Sequence, residues 1–500
     1  MPRATERWYT AAAVRLPPCL PILAASLLAS GSARGAPNLP ADDPDWDSLR
    51  DAIAVGKAAD PRGGVQWVSE REVPGALSPP DGVWLDPLHR LTLHLQAADE
   101  HDRPYSLPVR PRGLVGFIGL SCEYQEGRPC GDGIGGAIAW DFTAGFGNLL
   151  TLFTRVRASA GTDVFASEVA LDRAYLKFES GPFLFQIGRD ALALGPSVRS
   201  SLMVSWNAVP QDGLRLQLRP VALPFAPDVR VSLFYFLDRL RDPQRFNGTL
   251  LDCLRAQIDF GQRVQLGGSR LLELGGDGAP DYGGFWGFIL EHFGRTHEGV
   301  GATAENNRLS FDLSMRFPEL AGARVYYEIA FEDTRKEFFN SLQYDADHLL
   351  GLEIRALRVG PWRRLFIELE HTGWVSQEHS VFTAGMTNAG RTMGSALGPD
   401  GTSLWIRGDL EFGAVQVSPW LEWLKFVSDQ YDTDETRGVF VTATGPREQR
   451  QRLGVEVQVQ MSTSFWAKAA AFGERIGNAD FAVGSTSYSG GATVTLAWRP

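Results

Sequence analysis

The chain has 500 residues, 44% of them hydrophobic and 21% charged, with a formal net charge of -11. A mean hydropathy of -0.14 excludes a bundle of membrane helices, whose spans need roughly 20 apolar residues each. The acidic balance argues against a general nucleic-acid binder, but soluble domains and a membrane barrel both remain, since barrel strands alternate between lipid and lumen and average to mild polarity.

Residues 1–35 carry the pattern of a cleaved secretory signal. Arg3, Arg7 and Arg15 precede an apolar stretch, 16–29, that contains Leu20, Ile22, Leu23, Leu27 and Leu28, and Ala33 and Gly35 suit a cut before Ala36. Pro17, Pro18 and Pro21 shorten the apolar run below a membrane span, which disfavours an anchor. Cleavage removes Arg3, Arg7, Arg15, Arg34 and Glu6, a net +3, and takes the charge from -11 to -14. Cys122 and Cys130 are close enough to close a small disulfide loop in an oxidising periplasm, and Cys253 is left over as a buried thiol.

Residues 36–112 are Pro-rich and read as a small helical and loop segment on the periplasmic side. Asp43-Pro44 sets a capping oxygen before a proline at the first helical position, and Trp46, Leu49 and Ile53 follow on one face. Asp86-Pro87 repeats the device with Leu88, Leu91 and Leu95, although Leu91, Leu93 and Leu95 fit a strand equally. Such pieces are expected to pack together and against a barrel mouth.

From residue 113 to 500 the period becomes two. Leu309, Phe311, Leu313, Met315 and Phe317 alternate with Arg308, Ser310, Asp312, Ser314 and Arg316; Leu453, Val455, Val457, Val459 and Met461 alternate with Arg452, Gly454, Glu456, Gln458 and Gln460. About ten residues is what a tilted strand needs to cross a bilayer. Similar segments recur near 113–123, 137–147, 149–158, 168–179, 182–190, 213–220, 228–238, 252–262, 264–274, 285–295, 323–333, 348–358, 363–372, 404–412, 415–427, 464–474 and 490–498, making 19 candidates with the two above. Single-chain bacterial barrels have even strand numbers, so the expected fold is all-β: a transmembrane antiparallel β-barrel of about 18 strands in the outer membrane. Val494, Leu496 and Trp498 give the last strand the amphipathic, aromatic-ended form that engages barrel-insertion machinery. Trp405, Trp420, Trp423, Trp466 and Trp498 near strand ends suit an aromatic girdle among membrane lipids.

No catalytic constellation emerges. Glu328, Glu332, Glu368 and Glu370 sit in alternating strands and read as lumen charge, and His292 with His297, or His371 with His379, match no metal-site spacing. No cofactor is implied. The informative stretches are 183–218 and 378–400, which mix Gly, amides, hydroxyls, Arg and aromatics over long connections, as surfaces for sugar hydroxyls and weakly apolar sugar faces do.

The segments IGRDALALGP, SSLMVSWNAVP and GLRLQL, then LRAQIDFGQRVQLGGSR, NNRLSFDLSMRFPELAGARVYYEIAFED and EHSVFTAGMTNAGRTMGSALGPD, in that order across 183–400, resemble the capsule assembly Wzi family. Leu194-Gly195-Pro196-Ser197 stands where that family commonly has Trp-Gly-Pro-Gly, and Met393-Gly394-Ser395 lacks a His often found after the Gly. The resemblance implies an 18-strand outer-membrane barrel with a periplasmic helical segment, a non-enzymatic lectin that holds exported surface polysaccharide. Loops 191–212 and 374–403 would then form the contact surface. Arg199 and Arg391 would pair with uronic carboxylates, Trp206 and Trp374 stack on sugar faces, and Asn207 and Asp400 bond hydroxyls. The competing reading is a substrate-selective porin with a charged lumen; an outer-membrane enzyme and a plugged transporter fit less well.

Overall fold

Alternation in the sequence becomes two faces of one wall. Arg308, Ser310, Asp312, Ser314 and Arg316 are buried, whereas Phe311, Leu313 and Met315 between them are exposed. The polar face points inward and the apolar face outward, the reverse of a soluble protein and the arrangement of a barrel in lipid. The computed structural model describes residues 37–38, 43–58, 60–66, 83–99, 104–105, 116–117, 133–147, 149–162, 167–241, 244–279, 305–332, 339, 342, 345–377, 379, 381–426, 431–434, 439–443, 446–462 and 464–499.

Eighteen strands form the wall: β1 (Val83–Asp99), β2 (Gly133–Phe146), β3 (Leu150–Gly161), β4 (Glu168–Ser180), β5 (Phe183–Asp190), β6 (Gln211–Leu223), β7 (Ala226–Arg239), β8 (Leu250–Phe260), β9 (Val264–Leu274), β10 (Glu305–Phe317), β11 (Ala323–Phe331), β12 (Asp347–Ile354), β13 (Trp362–His371), β14 (Thr402–Phe412), β15 (Val415–Phe426), β16 (Glu448–Gln460), β17 (Phe465–Gly477) and β18 (Thr486–Trp498). Each pairs antiparallel with its neighbours in chain order. β1 closes the ring, with Leu91 opposite Trp140 of β2 on one side and Trp498 of β18 on the other.

The strand number agrees with expectation, but its make-up differs. Seventeen of the 19 candidate segments are wall strands. Of the other two, 285–295 lies outside the described residues, and the described part of 113–123, Gly116–Phe117, pairs with Pro104–Tyr105 apart from the barrel. The eighteenth strand is β1, in the stretch expected to hold a second helix. The period-two option for Leu91, Leu93 and Leu95 is the one adopted, with His94 and Gln96 buried between them. The proline after Asp86 is tolerated because the ladder breaks register between Asp86 and Arg90, where a missing N–H costs no pairing.

Connections at the ends of β2, β4, β6, β8 and β14 are short, while the opposite rim carries 191–210, 240–249, 275–304 and 372–401. Short turns mark the periplasmic rim and long loops the extracellular one. The two-residue turn between β4 and β5 needs Gly181 at a φ of 57°, open to glycine without strain. Phe146, Phe183, Phe225, Phe260, Trp362, Phe412 and Trp498 all project from the periplasmic ends of the wall and are exposed, forming an interfacial girdle. Of the tryptophans assigned to such a belt, Trp498 belongs to it and Trp423 shares the outward face of β15 by parity. Trp405 and Trp466 are buried on the inward face, and Trp420 lies there across Gly454 and near Phe472. Nearness to a strand end was legible; which face the residue took depended on register.

The helix α1 (Pro44–Ala54) is capped by Asp43, whose carboxylate accepts the Asp45 N–H at 2.8 Å, and buries Trp46, Leu49 and Ile53 as expected. It lies inside the periplasmic end of the lumen. Asp51 accepts from Arg364 of β13 at 2.6 Å and from Arg355 at 3.1 Å, Asp43 pairs with Arg90 of β1, and Asp45 meets Arg499 at 2.7 Å. Among the described residues no helix is long and apolar enough to cross a membrane.

Candidate functional site

A barrel with an inward-facing polar wall would hold water unless something fills it. Here the lumen contains an apolar core: Leu192, Leu194, Leu202, Met203 and Val204 from loop 191–210 pack with Met386 and Met393 from loop 372–401 and with Phe234, Phe236 and Leu251 of the wall. Both loops begin at the extracellular rim and fold inward.

The two loops are pinned to each other. Ser205 donates its N–H to the Met393 carbonyl at 2.7 Å and its hydroxyl to the Gly394 carbonyl at 2.5 Å. Asn207 donates to the Thr392 carbonyl at 3.0 Å and hydroxyl at 2.8 Å. A Cβ on Gly394 would stand 2.2 Å from the Leu202 carbonyl oxygen, so only glycine permits this approach.

They are also pinned to the wall by carboxylates. Glu368 of β13 accepts the N–H groups of Val198 at 2.7 Å, Arg199 at 3.1 Å and Ser200 at 3.3 Å, together with the Tyr326 hydroxyl at 2.6 Å. Ser200 donates to Glu370 at 3.1 Å. Asp347 of β12 accepts the Gly373 N–H and the Ser376 hydroxyl, each at 2.7 Å, and is paired with Arg308, which also binds Glu332. The glutamates that alternate along the strands thus hold loops, and Glu328 faces Gly195. From the other end, Val65 pairs with Leu194 and Gln66 donates its N–H to the Ala193 carbonyl at 2.7 Å. The N-terminal segment and loop 191–210 therefore meet in mid-lumen.

The residues expected to contact sugar fall into two groups. Trp206, Asn207 and Trp374 are buried: Trp206 packs on Ala191 and Ala193, Asn207 spans the two loops, and Trp374 donates its indole N–H to Asp345 at 2.5 Å. Loops 191–212 and 374–403, expected to form the contact surface, thus turn much of their length into the lumen, where their apolar side chains gain more by leaving water than by facing it. Arg199 pairs with Glu422 and lies over the Trp405 ring. Arg391 and Asp400 are half-buried, Arg391 on the hairpin formed by Thr387–Asn388 and Arg391–Thr392, Asp400 in a left-handed turn with φ of 46°. Burial pushes the Asp400 carboxyl up and lowers Arg391 to about 10. The set is not one constellation. Cys253 is buried, and Cys122 and Cys130 lie outside the described residues. Among the described residues no group of three or more His, Cys, Asp or Glu is placed to hold a metal ion.

Sequence reasoning placed Glu368 in the lumen as charge without its anchoring role, and missed the anchors Asp347 and Ser205. The available signal was the pairing of inward strand carboxylates with Gly- and Ser-rich loops, which offer backbone N–H groups.

A family model for the capsule assembly protein Wzi matches residues 119–487. No curated protein matches the chain by sequence. Among solved structures it is similar to Escherichia coli Wzi, described as an outer membrane protein involved in group 1 capsule assembly and a carbohydrate-binding β-barrel, with a TM-score of 0.65 and 14% identity over 93% of this chain and 100% of that one. Weaker likenesses include Pseudomonas aeruginosa OccD3 (OpdP), with a TM-score of 0.46 and 12% identity over 93% and 99% of the two chains. A BenF-like porin from Pseudomonas fluorescens Pf-5 matches with a TM-score of 0.46 and 12% identity over 83% and 98%. With most of its barrel matched by the family model and its strand topology shared with Wzi, the chain belongs to the Wzi capsule assembly family.

Proposed function

We propose that this outer-membrane barrel retains exported surface polysaccharide at the cell surface and performs no chemistry on it. The observation that carries the reading is the filled lumen: two extracellular loops spend their length on a locked floor, which suits a platform better than a conduit. The carbohydrate binding described for the Escherichia coli relative supports it. Arg391 and Asp400, at the half-buried margin of that floor, are the members of the expected set that meet polymer; Arg199, Trp206, Asn207 and Trp374 hold the floor in shape. Because the chain is acidic, an anionic polymer must approach through local Arg clusters, long-range repulsion being screened beyond about 8 Å. Delivery by cleavage of residues 1–35 belongs to the same reading.

The test is the amount of cell-attached polysaccharide with and without the gene, alongside pull-down of that polymer by the purified barrel. Loss of retention on deletion, with capture in the pull-down, is expected. Unchanged retention together with no capture overturns the proposal.

A further inference from the structure

At the periplasmic end, α1, segment 60–66 and the start of loop 191–210 meet the wall around a small cavity whose polar lining is Arg50, Arg62, Arg316, Arg324, Glu353 and Ser197. Two carboxylates serve these four guanidinium groups. Asp60 accepts from Arg62 at 2.6 and 2.7 Å and from Arg316 at 2.6 Å, and Glu353 accepts from Arg324 at 2.6 Å. Glu353 is shared further, since Arg355 donates to it at 3.2 Å. Arg50 contacts no carboxylate. It donates to the Gln66 side-chain oxygen at 3.0 Å and lies over the Trp46 ring, 4.4 Å from its centroid, with Arg62 5.6 Å from the same centroid. Trp46 thus holds two cations close together.

A second feature points into the same space. The Ser197 hydroxyl is buried, with 2% of the residue exposed, and has no hydrogen-bond partner among the described residues, whereas its carbonyl accepts from Gln66 at 2.6 Å. A buried hydroxyl beside an excess of guanidinium groups offers donors and little to accept them, and buried polar groups ordinarily find partners. Burial, with repulsion from Arg355 and Arg62, outweighs the attraction of Asp47 and Glu353 and holds the Arg50 guanidinium below its usual range.

We propose that this cavity binds one halide ion, held by Arg50 and its neighbouring guanidinium groups and taking the Ser197 O–H. The excess of guanidinium groups over carboxylates rejects cations, and the confined space rejects a sugar ring or an oxyanion. Arg50 belongs to α1 and Ser197 to the extracellular loop, so the bound ion clamps the periplasmic plug to the floor above it. This site is independent of the polysaccharide reading.

The test uses the full chain in detergent, unfolded thermally at constant ionic strength in sodium gluconate, chloride or phosphate. A saturable rise in the unfolding midpoint with chloride over gluconate is expected, with phosphate, too large for the cavity, giving none. Arg50→Gln should abolish that rise, while Arg263→Gln, which breaks an exposed pair with Glu319, should leave it intact. Because Arg50→Gln also removes contacts with Gln66 and Trp46, crystals of the unaltered protein soaked in bromide give a separate readout: anomalous density within hydrogen-bond distance of Arg50 and Ser197. Equal midpoints in chloride and gluconate, or no bromide in the cavity, overturn the proposal.

Discussion

Individual carboxylates set the shape of the lumen, and their substitution should be felt well beyond one contact. Glu368→Ala leaves three backbone N–H groups and the Tyr326 hydroxyl buried without their acceptor, and should lower stability by about 3 kcal/mol in a chemical unfolding titration. Glu368→Gln keeps the volume and one acceptor oxygen and should cost less; equal loss from both would mean that the floor needs both carboxylate oxygens and that the retained volume counts for nothing. Acid should act on the N-terminal clamp. Burial raises Asp60, but Arg62 and Arg316 outweigh it and hold the carboxyl well below the usual range; in Asp47, Arg364 and Arg355 likewise outweigh burial. A depressed folded pKa gives stability that is complete above the unfolded value, about 3.9, and is lost as pH falls through the folded one. Asp43 opposes this, since burial outweighs Arg90 and raises it. Protease protection of residues 43–66 should therefore hold, or rise slightly through Asp43, as pH falls from about 8 to 5, and decline only below about 4. A decline already complete at about pH 6 would show that these carboxylates do not govern docking.

At the scale of elements, the strands were readable because lipid and lumen impose opposite demands on successive residues. β10 shows the asymmetry most plainly: Leu313→Arg sets a cation against hydrocarbon and should cost about 2–4 kcal/mol near the midplane, whereas the neighbouring inward positions already carry charge. The check is the folded fraction on refolding into lipid vesicles, where Leu313→Arg should fall well below a Ser314→Arg control; similar yields would count against the assigned faces. α1 was equally legible from Asp43-Pro44 and the spacing of Trp46, Leu49 and Ile53. β1 was less so, because Asp86-Pro87 imitates a helix start and only the bulge before Arg90 lets a proline enter a strand. The loops were hardest to read. Nothing local in 191–210 distinguishes an apolar run that faces a ligand from one that turns into the lumen, since the deciding partners, Glu368, Glu370 and Thr392, lie some 170 to 185 positions away.

For the whole molecule, wall and filling are separable. Every wall strand draws its backbone pairing from its two neighbours, and Asp190 and Gln211, which bracket loop 191–210, are themselves register partners. A four-residue Gly-Ser connector between them should therefore leave β5 and β6 paired while removing Leu192, Leu194, Leu202, Met203 and Val204 from the lumen. The inward faces then exposed carry Arg215, Asp238, Glu328 and Glu368, groups that favour water over a vacant apolar space. In a planar bilayer the intact chain should show no steady conductance, and the shortened chain should conduct continuously, since a ring of 18 strands is wide enough for an aqueous channel. The same shortened chain should also lose polymer in a pull-down, because Arg391 sits on a hairpin whose support includes Ser205 and Asn207. Steady conductance from both chains would mean that the loops do not seal the barrel, and would favour the porin over the platform.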